Sequence, residues 1–141
     1  MYNYGQLELL ILSCMMIKPK LLETTKLEAK HFKHSSKIFI LFNSFYKKFG
    51  TLDCELMCKM VDNKYKYIDY IKVLSELEPT ASNFEKYEDL LLELYQEQID
   101  EKIFKSKVFN LANDLYVGNI TCKDFTDKIN KFYENIKKDF T

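Results

Sequence analysis

Apolar residues recur along this chain at spacings of three and four, and few positions interrupt them. Glycine occurs only at 5, 50 and 118, and proline only at 19 and 79. Helical spacing with so few breakers predicts an all-α domain. The run from Leu7 to Ile17 predicts a first buried amphipathic helix over about Gln6–Ile17, stopped before Pro19. A short helical turn follows through Leu21 and Leu22. Phe39, Phe42, Phe45 and Phe49 mark one face of a stronger helix over Ser36–Phe49, which Gly50 closes. Asp53 is placed to cap a restart through "CELMCKMV", and Ile68, Ile71 and Leu74 share one face of a further segment, Tyr67–Leu77.

The second half is launched by "EPTASNFEKYEDLLLELY". Pro79 ends what precedes it, Ser82 or Asn83 is positioned as N-cap, and Glu85 and Glu88 suit the positive end of the helix dipole. The helical pattern then continues to about Tyr116, where Gly118 closes it. Thr121 caps a last helix carrying Phe125, Ile129, Phe132, Tyr133 and Ile136, with Asp124 at the third position. Two long helices joined by "VGNIT" predict an antiparallel helical hairpin. The expected organisation is one domain, with a compact bundle over 1–80 followed by the hairpin over 81–141. A helix of about thirty residues spans roughly 45 Å. A bundle of short helices does not cover that length, so part of the arm is expected to protrude and to seek a partner.

Composition narrows the function classes. The 141 residues are 47% hydrophobic and 15% aromatic, enough for a real core and too apolar for disorder. Twenty-one basic residues balance twenty-one acidic ones, and every basic residue is lysine. A nucleic-acid binder usually shows a basic excess, and without arginine there is no planar fork to read base edges. Direct sequence-specific DNA reading is therefore not expected. The N-terminal apolar run lacks a basic flank and a small-residue cleavage site, contains Glu8, and is too short to span a bilayer. Cys14, Cys54, Cys58 and Cys122 sit in helical patterns and read as reduced thiols of a cytoplasmic protein. Charge is uneven: seven acidic residues stand against Lys86 over 85–101, while six lysines stand against Glu23 and Glu28 over 18–37. Solvation accounts for such runs, and complementary patches also orient partners.

The sharpest candidate chemistry is a zinc set of His31, His34, Cys54 and Cys58, since zinc accepts two cysteines and two histidines. Against it, Cys58 lies among Leu56, Met57 and Met60, and the histidines sit in a lysine-rich turn. Packed thiols and solvated histidines are the simpler expectation. Two neighbouring histidines also cannot supply both base and orienter of a hydrolytic triad. Surface carboxylates on helices read as solvated, so no catalytic residue, metal or cofactor is expected.

Several stretches resemble, in order, the N-terminal domain of DnaB-type replicative DNA helicases. "GQLELLILSCMM" is similar to that family's opening helix. "HFKHSSKIFILFNSFYKKFGTLD" is similar to its aromatic segment with an Ile-Phe pair and a following turn, kept here as Ile38-Phe39, Phe42, Phe45, Gly50, Leu52 and Asp53. "YIDYIKVLSE" and "PTASNFEKYEDLLLE" resemble the helix before the hairpin and the hairpin's start. Ser35 stands where the family usually has histidine, and Thr51 where it has the turn proline. The resemblance implies a non-catalytic collar domain that pairs through its hairpin as a dimer or trimer of dimers and docks a primase or helicase loader. The family's motor needs a phosphate-binding loop of the form G-x-x-x-x-G-K-[ST], which three scattered glycines cannot build. An alternative reading is a standalone phage or mobile-element protein that captures a host helicase, primase or loader. The expected interface is the apolar surface of the long helix: Tyr87, Leu91, Tyr95, Ile99, Ile103, Phe104, Val108 and Leu111.

Overall fold

The computed structural model describes residues 2–60, 77 and 80–139. Among them every regular element is helical: α1 (Tyr4–Ile17), α2 (Leu21–Thr24), a 3-10 turn (Ala29–His31), α3 (Ser36–Phe49), α4 (Cys54–Met60), α5 (Phe84–Tyr116) and α6 (Cys122–Asp139). The all-α expectation holds. The expected helix at Tyr67–Leu77 lies outside the described residues. The chain divides into two compact units, Met1–Leu94 and Tyr95–Thr141. This boundary lies well past the expected one near residue 80, because the first turns of α5 are built into the first unit's core.

Helix ends follow local chemistry. Asn3 caps α1: its Oδ1 accepts from the Gln6 N–H at 2.8 Å, and its own N–H donates to Gln6 Oε1 at 2.9 Å. This reciprocal pair satisfies two donors that a helix start leaves unpaired. Gly50 ends α3 in the left-handed region, φ 70°, with its N–H on the Tyr46 carbonyl at 2.7 Å. Asp53 Oδ1 accepts from the Leu56 N–H at 3.0 Å, the cap expected for α4. At the start of α5 the hydroxyls of Thr80 and Ser82 pair at 2.8 Å, so Ser82 bonds a neighbour's side chain there.

In the first unit α1 is buried on nearly every side, with Leu7, Ile11, Leu12, Cys14 and Met15 all but inaccessible. A helix apolar all round belongs in the interior. Phe42 and Phe45 of α3, Met57 of α4, and Phe84, Tyr87 and Leu91 of α5 complete this core. Phe32 stacks on Phe39 with centroids 4.5 Å apart, and Tyr2 meets Tyr87 edge-to-face at 5.6 Å. Each large apolar side chain buried this way contributes about 1.5–3 kcal/mol. Phe49, expected on the same face as Phe45, is largely exposed at the helix end and packs against the Phe45 ring.

The second unit comprises the rest of α5, the turn 117–121, and α6. The turn is chemically specified. Gly118, φ 84°, donates to the Leu115 carbonyl and Asn119 to the Asp114 carbonyl at 2.9 Å, the double closure that ends a helix on a left-handed residue. Thr121 then caps α6, its Oγ1 accepting from the Asp124 N–H at 3.1 Å while its own N–H reaches Asp124 Oδ2 at 3.4 Å. Lys107 Nζ lies 4.7 Å from the centre of the Phe132 ring. These two residues are almost equally far from the turn, as two helices running back along each other require.

Candidate interaction surface

The candidate surface is built on α5, and the eight residues singled out from sequence divide by position. Tyr87 and Leu91 are buried in the first unit's own core and face inward. With Phe84 they belong to the apolar interior of the first unit, although the sequence placed Tyr87 and Leu91 on an expected interface. Tyr95 and Ile99 are half-buried. Further along, Leu111 is buried, and Phe104 and Val108 are half-buried, as are Phe125, Ile129 and Phe132 of α6. Of the eight, Ile103 alone is strongly exposed, at 48%.

The most exposed apolar side chains were not singled out. Phe109 is 73% exposed and Tyr116 is 90% exposed, with Val117 and Tyr133 more than half exposed. The signal was available in the register. Phe104, Val108, Leu111 and Leu115 recur at four, three and four, which defines one seam. Phe109 and Tyr116 are seven apart and fall on a different side of the helix.

Sequence reasoning also missed two buried carboxylates in the first unit. Glu8 of α1 has no exposed surface, and its Oε1 accepts from the His34 N–H at 3.0 Å and the Ser35 N–H at 3.1 Å. It thereby serves the donors at the start of α3 from another helix. Burial pushes the Glu8 carboxyl above its ordinary value, opposed by these N–H groups and by the charge of His34. Glu88 was expected to act on the helix dipole. Instead it is buried, and its Oε2 accepts from the Thr25 hydroxyl at 2.5 Å and the Lys26 N–H at 3.1 Å. Thr25 Oγ1 in turn accepts from the Leu27 N–H at 3.1 Å. Two acids from two helices thus hold the two ends of the 25–35 connector.

His31, expected to be solvated, is also buried. Its Nδ1 accepts from the Glu28 N–H at 2.8 Å, and the Tyr4 hydroxyl donates to its carbonyl. Burial, with Lys30 adding, lowers the imidazole's affinity for a proton, in keeping with Nδ1 acting as an acceptor. No three histidine, cysteine or acidic side chains converge to hold a metal among the described residues. A groove of about 310 Å³ opens on the first unit, lined by Leu21, Thr24, Lys26, Phe84, Glu85, Glu88 and Asp89. No helix among the described residues is long and apolar enough to cross a membrane.

Comparison with protein-family models, with curated proteins and with solved structures yields no match. The helicase resemblance therefore rests on the residue pattern quoted above.

Proposed function

We propose that this chain is a non-catalytic interaction module of DNA replication. It associates with itself through the hairpin of α5 and α6 and docks a primase, helicase loader or replicative helicase, in the manner of the helicase collar domain it resembles. The observation that carries this reading is the apolar surface left over on the second unit. Once α5 and α6 have packed on each other, Ile103, Phe109, Tyr116 and Tyr133 still face solvent. Phe109 and Tyr116, seven residues apart, share one side of α5, and exposed aromatics grouped on one face mark a protein contact. The glycines support the non-catalytic part. Gly50 and Gly118 close helices and Gly5 lies within α1, so none is free to form a phosphate-cradling loop.

Light scattering over a dilution series of wild type and Phe109→Glu, at a side chain 73% exposed, tests the reading. The wild type should associate at micromolar concentration. The variant should fold equally well and dissociate at higher concentration, because desolvating a carboxylate in a contact costs several kcal/mol. A wild type that stays monomeric throughout removes self-association from the proposal.

A further inference from the structure

Self-association through α5 leaves open which surface of a second copy receives it, and two features of the chain fit each other. On the second unit, Lys102, Lys105, Phe109 and Tyr116 fall within about 60° of one another around α5 at 100° per residue. No carboxylate shares that arc. Phe109 and Tyr116 are the most exposed large apolar side chains described, and Lys105 makes only a solvent-exposed pair with Glu101 at 3.0 Å. The face is apolar and basic, and all four of its side chains are exposed.

The groove on the first unit has the opposite character. Phe84 and Leu21 supply apolar walls, and Glu85 and Asp89 stand on its rim, exposed and in no ion pair among the described residues. Lys26 is its single cationic lining residue. Its volume of about 310 Å³ is at the small end of pockets that seat a compact group. An aromatic anchor in such a pocket, ringed by paired charges, is the arrangement that concentrates binding energy in protein contacts.

Resting on the self-association reading, we infer that the Lys102–Lys105–Phe109–Tyr116 face of one copy seats in the Phe84–Glu85–Asp89 groove of a second copy. An aromatic ring enters between Phe84 and Leu21, and the lysines meet Glu85 and Asp89. The two patches differ, and each copy carries one of each. The contact therefore repeats from copy to copy until it closes as a ring or across a two-fold axis.

Charge reversal on each side, and then on both together, tests this. The reversed side chains are solvent-exposed, so thermal unfolding of each variant should stay close to wild type. In sedimentation over a dilution series, Lys102→Glu/Lys105→Glu and Glu85→Lys/Asp89→Lys should each weaken association about tenfold or more. An equimolar mixture of the two variants restores opposite charges wherever unlike copies meet and should assemble more tightly than either variant alone. A mixture no tighter than either variant alone overturns the pairing of these two faces. A wild-type oligomer that neither reversal moves also overturns it, while leaving self-association standing. A wild type monomeric at every concentration removes both.

Discussion

The two units solve the problem of burying apolar surface in opposite ways. In the first, α1 is buried on nearly every side, and even its one acid, Glu8, is enclosed and bonded to backbone N–H groups. In the second, two helices share one seam. Leu111 is the only large apolar side chain buried there among the described residues, while Phe109, Tyr116 and Tyr133 face outward. Two helices in contact leave most of each surface uncovered, so a hairpin of this kind cannot hide aromatics on more than one side. Among the described residues the first unit encloses a set of large apolar side chains, though Ile40 and Phe49 stay exposed, whereas the second buries only Leu111.

The largest expected effect separates these two fates for the same residue type. Phe42 is fully buried and Phe109 is mostly exposed. Phe42→Ala should lose about 3–5 kcal/mol of stability in urea unfolding, through lost burial and the cavity left behind. Phe109→Ala should stay within about 0.5 kcal/mol, as surface substitutions do. Similar losses at both sites would mean that Phe109 is covered in solution at the concentration used, and dilution would then bring its effect down.

The buried carboxylates give the next effect. Removing Glu8 as Glu8→Ala leaves the His34 and Ser35 N–H groups without their acceptor at the start of α3. That should cost about 2–3 kcal/mol, the penalty for stranding buried donors. Hydrogen exchange should show those two amides, and those of the first turn of α3, losing protection first. Unchanged protection there would mean that another group or water takes over the cap.

Much of this arrangement was legible before the structure. The Ser36–Phe49 helix and its Gly50 stop, the Asp53 cap, the long helix ending near Gly118, and the Thr121–Asp124 cap all follow from short-range rules. Their causes lie within four residues, and the structure has each of them. What stayed hidden depends on distance along the chain. Glu8 bonds residues 26 and 27 positions away, and Glu88 reaches back 62 and 63. In sequence each is an acid on a helix, which reads as solvated. The same limit displaced the unit boundary. Tyr87 and Leu91 have the spacing of any apolar stripe, and only the fold decides whether such a stripe faces inward or outward.

The smallest effect concerns the charge on Glu8, and its sign distinguishes holding N–H groups from carrying a charge. Burial raises this carboxyl above the ordinary value of 4.5, while in the unfolded chain it returns to that value. Between the two values the folded state binds more protons than the unfolded one. Stability from this group is therefore complete below about the ordinary value and declines as pH rises through the folded one. Glu8→Gln keeps a carbonyl oxygen that can accept from His34 and Ser35, and it removes the buried charge. It should therefore retain most of the stability that Glu8→Ala loses, and it should flatten the decline of stability with rising pH above 4.5. Urea unfolding of wild type, Glu8→Gln and Glu8→Ala at several pH values measures this directly. If Glu8→Gln falls as far as Glu8→Ala at neutral pH, the ionised carboxylate itself is what holds the start of α3. A wild-type profile that rises with pH where Glu8→Gln stays flat would show the backbone donors outweighing the cost of burial.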